Sequence, residues 1–328
     1  MIIKKVFIWG TVFFIGLIFG SIFTAYLSSH KNFTEYQAIR QKGFQYISPL
    51  LYCETAPQEN DDLTRKLSSE LEDYIAQEQN DALVQNVSVY FRIPDFGDWI
   101  GINESERYTP ASLLKVPTMM VYYKKANSDP SILSKLIEFN GNNGNGMENI
   151  KPSAEMTKGQ SYTVDDLINR MLINSDNNAK DMLGANIDEE EFAKVFEEVG
   201  IGRLDYSQTE NFMNVKQYAS FFRILYNASY LSRKMSEKAL SLLTKVEFNK
   251  GLVAGVPEGV KVAHKFGERS YGLTNIKQLH DCGIVYSPSY PYILCVMARG
   301  TSFDSLQKVI ATISSKVYSE VITWKNKR

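Results

Sequence analysis

Histidine is scarce in this chain of 328 residues: His30, His264 and His280 are the only three. No His-Glu-x-x-His and no Gly-x-Ser-x-Gly occurs, so a zinc peptidase and a Ser-His-Asp hydrolase both lack their parts. Cysteine is as rare, with Cys53, Cys282 and Cys295 alone. An odd number does not make a disulfide framework. Cys282 and Cys295 flank a turn at 286–291 between strand-like runs, so a bridge across a hairpin is open to them. Buried free thiols are the preferred reading, because cysteine is among the most buried residue types. An excess of either charge is also missing: 36 Lys and Arg face 37 Asp and Glu, for a net charge of −1. With no basic stretch interleaved with aromatics, nucleic acid is not expected as a partner. The glycine-rich run 140–146 has no strand leading in and no Gly-Lys-Ser/Thr leading out, which excludes a phosphate cradle.

What remains is ordinary globular composition, 44% hydrophobic and 22% charged, enough for one large domain or two modest ones. One long apolar run stands apart. Lys4 and Lys5 precede Val6 to Leu27, which holds no charge, and His30-Lys31 follow. About 20 apolar residues suffice to span a bilayer. Thr24-Ala25-Tyr26-Leu27 is a poor cleavage site, so residues 1–31 read as an uncleaved signal anchor rather than a leader removed on secretion. The paired lysines favour a cytoplasmic N-terminus, which predicts a single-pass protein of the cytoplasmic membrane with its main domain outside. Residues 32–60 read as a stalk, and 61–328 as one catalytic domain, expected to be monomeric.

Within that domain Leu63, Leu67, Leu71 and Ile75, four apart, predict a helix. Val87, Val89, Phe91 and Ile93 alternate as a half-buried strand, and a turn at Pro94-Asp95-Phe96-Gly97 leads into a second strand to Ile102. A long helical block follows, with Thr163 as the cap of one helix and acids in its first turn. Strand character returns at 259–266, 283–286 and 292–297, and a last helix covers 304–324. The order predicts an α/β (α+β) fold: a five-stranded, mostly antiparallel sheet flanked by helices, with an inserted all-helical lobe. A cleft between the two is the natural place for a site.

The chemistry-bearing stretch is Thr109-Pro110-Ala111-Ser112-Leu113-Leu114-Lys115. Pro110 suits a helix entrance, and residues three apart share a helix face, so Lys115 lies one turn behind Ser112. Ser-x-x-Lys also occurs at Ser28/Lys31 and Ser305/Lys308, so the pattern alone is weak. Only the Ser112 copy is followed by Ser175-Asp176-Asn177 and then by Lys265-Phe266-Gly267.

These three motifs, in this order, resemble those of the serine acyl-transferases that meet β-lactams: class A β-lactamases and penicillin-binding DD-peptidases. The resemblance extends from about residue 61 to the C-terminus and is strongest to the class A group. It implies Ser112 as the nucleophile that becomes esterified, Lys115 as its base and Ser175 as a proton relay to the leaving nitrogen. A lysine amine titrates near 10.4 in the open, so Lys115 needs burial and a second cation, Lys265, to act as a base. The resemblance further implies that Asn177 contacts the substrate amide and that Gly267 admits the substrate backbone. The N–H groups of Ser112 and Glu268 would form the oxyanion hole. Asp176 reads as structural, satisfying backbone N–H groups. No metal and no cofactor are expected. The substrate implied is a β-lactam or a cell-wall peptide.

Two departures stand out. Phe266 occupies the place where this group has a threonine or serine hydroxyl that grips the substrate carboxylate. The deacylating glutamate, with asparagine four residues on, has Glu210 and Asn214 as candidates, whereas counting from Arg203-Leu204-Asp205 puts Gln208 there. An amide has no useful basicity, so slow release of the acyl group, as in a DD-peptidase, is the alternative. A pseudoenzyme that binds cell-wall peptide without turnover is a third reading, disfavoured by Ser112, Lys115, Ser175 and Lys265 occurring together.

Overall fold

The structure is a computed structural model and describes residues 35–56, 62–80, 82–96, 99–141, 153, 155–203 and 207–327. By its contacts the chain divides into two units, residues 37–54 with 61–328, and residues 1–36 with 55–60. The apolar run 6–27 lies outside the described residues, as does most of the glycine-rich run 140–146. Among the described residues no helix is long and apolar enough to cross a membrane.

After β1 (Glu35–Arg40) and β2 (Leu50–Ala56), five strands build the central sheet: β3 (Val84–Arg92), β4 (Trp99–Ile102), β9 (Val262–Tyr271), β10 (Ile276–Val285) and β11 (Tyr292–Gly300). Their order is β4-β3-β11-β10-β9, and every neighbouring pair is antiparallel. Alternation along β11 sorts the core into two layers. Leu294, Val296 and Ala298 face α1 (Asp62–Gln79) and α8 (Phe303–Lys327). Ile293, Cys295 and Met297 face the helical lobe. The four-residue spacing of Leu63, Leu67, Leu71 and Ile75 puts all of them in the first layer, where Val309, Ile313, Val317 and Val321 answer from α8. Ion pairs Lys66–Glu320 (2.7 Å) and Lys316–Glu70 (2.7 Å) flank that helix pair.

β3 is not half-buried. Ser88 and Tyr90, on the face opposite to Val87, Val89 and Phe91, are also buried. The helical lobe covers that face, and Ser88 bonds the Asn103 carbonyl (2.7 Å) and the Tyr108 hydroxyl (3.0 Å).

The lobe holds α2 (Lys115–Ser128), α3 (Val164–Ile173), α4 (Asn177–Gly184), α5 (Glu189–Glu198), α6 (Val215–Asn227) and α7 (Arg233–Leu243). Thr163 caps α3 in a reciprocal box with Asp166 (3.0 and 3.3 Å). The helical block is interrupted by a ribbon of β6 (Leu136–Glu138) on β7 (Ser161–Thr163), and β5 (Arg107–Tyr108) pairs with β8 (Met213–Asn214). Strands of two or three residues give too few alternations to be read from a sequence.

Two expectations change. Cys282 and Cys295 are joined by a disulfide rather than free. The register of β10 on β11 sets them directly opposite one another, which a sequence spacing of 13 across an unknown turn does not reveal. Residues 37–54, read above as stalk, belong to the same compact unit as 61–328. Arg40 pairs with Asp95 (2.5 Å) and donates to the carbonyls of Ser48 and Pro94 and to Asn227 Oδ1. The Glu237 carboxylate accepts the N–H groups of Gln45, Tyr46 and Ile47.

Candidate active site

Pro110 ends the approach to Ser112 and removes one N–H from it. Ala111–Leu114 then form a tight 3-10 turn that runs straight into α2. Ala111 holds a left-handed φ of +50°, a conformation costly for a residue with a Cβ and kept only where surroundings enforce it. The Tyr218 hydroxyl, buried, donates to the Leu113 carbonyl at 2.9 Å and fixes the turn from the lobe side. From the sheet side the turn rests on β9, the edge strand.

Gly267 makes that seat possible. A Cβ there would lie 2.5 Å from the Pro110 carbonyl oxygen and 3.0 Å from Leu113 Cγ. The close approach that needs glycine here is that of the Pro110–Leu113 backbone. Gly267 is buried beneath that turn.

A cavity of about 520 Å³ opens between lobe and sheet. Ser112 and Lys115, Ser175 and Asn177, and Glu268, from three stretches of chain, all line it. Two lysines converge on Ser175 in its wall. Its hydroxyl oxygen accepts from Lys115 Nζ at 3.1 Å and from Lys265 Nζ at 3.0 Å. All three residues are buried, with 2%, 0% and 2% exposure for Lys115, Lys265 and Ser175. Two accepted bonds fill the oxygen's lone pairs and leave the O–H free in direction to donate. Lys115 also donates to the Ser175 carbonyl, and Lys265 to the Phe266 carbonyl at 3.0 Å. The left-handed φ of +57° at Ser175 brings its carbonyl and hydroxyl to the same amine.

Asp176, next in the chain, caps α4 by accepting the N–H groups of Asn178 (2.8 Å) and Ala179 (3.3 Å). That is the structural duty its position suggested. Asn177 then opens α4 at the cavity wall.

Phe266 is 3% exposed and stacks on Phe248 with ring centroids 4.4 Å apart, while Lys265 Nζ sits 4.0 Å from its ring centre. An aromatic ring in the core thus supports the second lysine. His264, whose strand position predicted the face away from Lys265, bonds Asp281 through Nδ1 at 2.8 Å, and Asp281 also accepts the Leu252 N–H. Both side chains are buried, so this pair belongs to the packing behind β9.

The far wall comes from the connector into β8. Glu210 lines the cavity, and the partner its carboxylate has there is Arg269, at 3.1 Å across the mouth. Asn214 does not join Glu210. Its side chain accepts the Gln217 N–H at 2.8 Å and caps α6 in a box with Gln217. Gln208 is exposed and does not line the cavity.

Four residues that the sequence reading passed over hold this region: Asn211, Tyr271, Gln278 and His280. The one signal for them was polar side chains at alternate positions of a strand, Gln278 and His280, whose second face is covered. His280 Nε2 donates to the Thr109 carbonyl at 3.1 Å, its Nδ1 has no partner among the described residues, and burial pushes its pKa down to about 3.

The sequence profile of the β-lactamase enzyme family matches residues 66–321. The chain belongs to that family. Among solved structures, the TLA-1 extended-spectrum β-lactamase superposes with a TM-score of 0.69 at 18% identity, covering 79% of this chain and 99% of that one. A class A β-lactamase from Bacteroides cellulosilyticus gives 0.67 at 18% identity, covering 78% and 99%. PBP-A gives 0.63 at 19% identity, covering 81% and 98%. At these identities the likeness establishes the β-lactamase fold, with its five-stranded antiparallel sheet, and nothing finer. Among curated proteins no sequence matches.

Proposed function

We propose that this member of the β-lactamase family is a serine hydrolase of the class A type that is acylated by β-lactams at Ser112 and releases the acyl group slowly. The observation that carries the reading is the Ser175 hydroxyl held between two buried amines at the wall of the cavity that Ser112 lines. Two ammonium groups on one buried oxygen repel each other, which favours one amine giving up its proton. That amine, on Lys115, takes the Ser112 proton as Oγ bonds the lactam carbonyl carbon. The C–N bond breaks, and the proton passes by Ser175 Oγ to the leaving nitrogen, so atoms balance without a further reactant. The N–H groups of Ser112 and Glu268 receive the carbonyl oxygen as it becomes anionic.

Slow release follows from the occupancy of Glu210 and Asn214. A carboxylate paired with Arg269 and an asparagine used as a helix cap do not form a water-activating pair. This is the observation that favours DD-peptidase-like behaviour on cell-wall peptides over rapid lactam hydrolysis. The apolar run 6–27 would tether the domain to the outer face of the cytoplasmic membrane.

The test is intact-mass spectrometry of the full chain with a penicillin, alongside a ring-opening assay. A lasting adduct of the mass of one penicillin is expected, and Ser112→Ala should remove it. Rapid ring opening with no accumulated adduct would return Glu210 to the deacylating role. No adduct and no turnover with any β-lactam would reject the enzyme reading.

A further inference from the structure

Thr109, three residues before Ser112, has every backbone and side-chain polar group engaged. Its N–H donates to Gln278 Oε1 at 2.9 Å, and its carbonyl accepts from His280. Its hydroxyl lies 2.7 Å from the Tyr271 hydroxyl and accepts the Asn211 N–H at 2.9 Å. Gln278 turns the other end of its amide to Asn211, with Nε2 donating to Oδ1 at 2.9 Å. Arg299 Nη2 adds a longer bond to the same oxygen, at 3.3 Å. Gln278 is 1% exposed, so neither end of its amide has water as a ready substitute.

This arrangement joins two segments far apart in sequence. Thr109 leads through Pro110 and the strained Ala111 to Ser112. Asn211, at a left-handed φ of +50°, directly follows Glu210 on the opposite wall of the cavity. A primary amide presents an acceptor and a donor on one rigid plane without a charge. One residue thus sets the spacing between the approach to the nucleophile and the wall that faces it.

We propose that Gln278 is a positioning residue for acylation, acting through Thr109 on Ser112 and through Asn211 on the 207–212 connector. This rests on Ser112 being the acylated residue, and it adds a determinant outside the three motifs. Loss of the clamp should cost rate and not encounter, because Gln278 does not line the substrate cavity.

The experiment compares Gln278→Leu and Asn211→Gly with the unaltered full chain. Gln278→Leu removes both halves of the clamp. Asn211→Gly removes one carbonyl while keeping the left-handed backbone and the N–H to Thr109, and so guards against a variant that fails to fold. Acylation by a penicillin is followed by intact mass over a range of concentrations. The limiting acylation constant should fall about tenfold or more in Gln278→Leu and about threefold in Asn211→Gly. The concentration giving half that limit should stay within about twofold. Amide hydrogen exchange should rise at 207–212 in both variants, and at 111–114 in Gln278→Leu, with the sheet core unchanged.

Unaltered acylation in Gln278→Leu, or a change confined to the half-limiting concentration, would overturn the proposal. So would an exchange increase spread evenly over the sheet. If the unaltered chain forms no adduct, the acyl-enzyme reading fails by itself. Local exchange then decides the clamp: a rise confined to the two segments supports it, and no rise rejects it.

Discussion

The Ser175 oxygen is the atom on which the two buried lysines converge, and its removal separates catalytic from structural duty. In Ser175→Ala, Lys115 keeps the backbone carbonyl of residue 175 and Lys265 keeps that of Phe266. The stability loss should therefore stay near about 1–3 kcal/mol, the cost of a lost buried hydrogen-bond partner. Acylation by a penicillin should fall about 10²–10⁴-fold, the range for a lost proton relay. Urea unfolding and intact-mass kinetics on the same preparation check both, and a loss of stability with acylation untouched would remove Ser175 from the mechanism. At this scale the motif residues were legible because a few side-chain chemistries recur at fixed offsets. Gly267 was legible as a required glycine but not for its reason, since the neighbour that excludes a Cβ is 157 positions away by number (267 − 110).

At the scale of elements, the junction of the Ala111–Leu114 turn with β9 decides where Ser112 stands. Gly267→Ala would drive a Cβ to 2.5 Å from a backbone oxygen that cannot swing aside as a side chain can. The expected cost is about 1–3 kcal/mol for an overpacked contact. A further loss of about tenfold or more in acylation should follow from displacement of the turn. Gly272→Ala is the control, since a Cβ there meets nothing within 4 Å and should leave both stability and acylation unchanged. Thermal melting with acylation kinetics tests the pair. Helices were the most readable elements: four-residue spacing found α1, and Thr163 with Asp166 found the start of α3. β10 was readable only in its second half. Before it come Gln278, His280 and Asp281, whose burial has no hydrophobic signature and is met by His264 of β9, the Leu252 N–H, the Thr109 approach and Asn211.

For the whole molecule, His280 ties stability to pH. Its folded pKa of about 3 lies far below the ordinary histidine value because burial opposes the charge, and Arg299 nearby opposes it further. The unfolded chain therefore takes up the proton first. Its contribution is complete above about pH 6.5 and is lost as pH falls toward 3, at up to about 1.4 kcal/mol per pH unit. Urea unfolding of the full chain between pH 7 and 4 should show a flatter dependence in His280→Gln than in the unaltered protein; parallel curves would reject the assignment. The same scale accounts for residues 37–54. Arg40 and the Glu237 carboxylate bind them to the rest of that unit, so a truncation at residue 61 would strip ion-paired and hydrogen-bonded groups from it.

The sequence by itself determined the five-stranded antiparallel sheet, the helices that flank it and the helical lobe, because periodicity is a local property of the chain. Tertiary structure alone decided that Cys282 meets Cys295, that Gly267 seats the Ala111–Leu114 turn, that Asn214 is spent on a helix cap, and that Gln278 spans Thr109 and Asn211. Each of those depends on strand register or on contact between distant segments. Such pairings are fixed by how buried polar groups find partners and how backbones fit at van der Waals distance, neither of which is written in the spacing of residues along the chain.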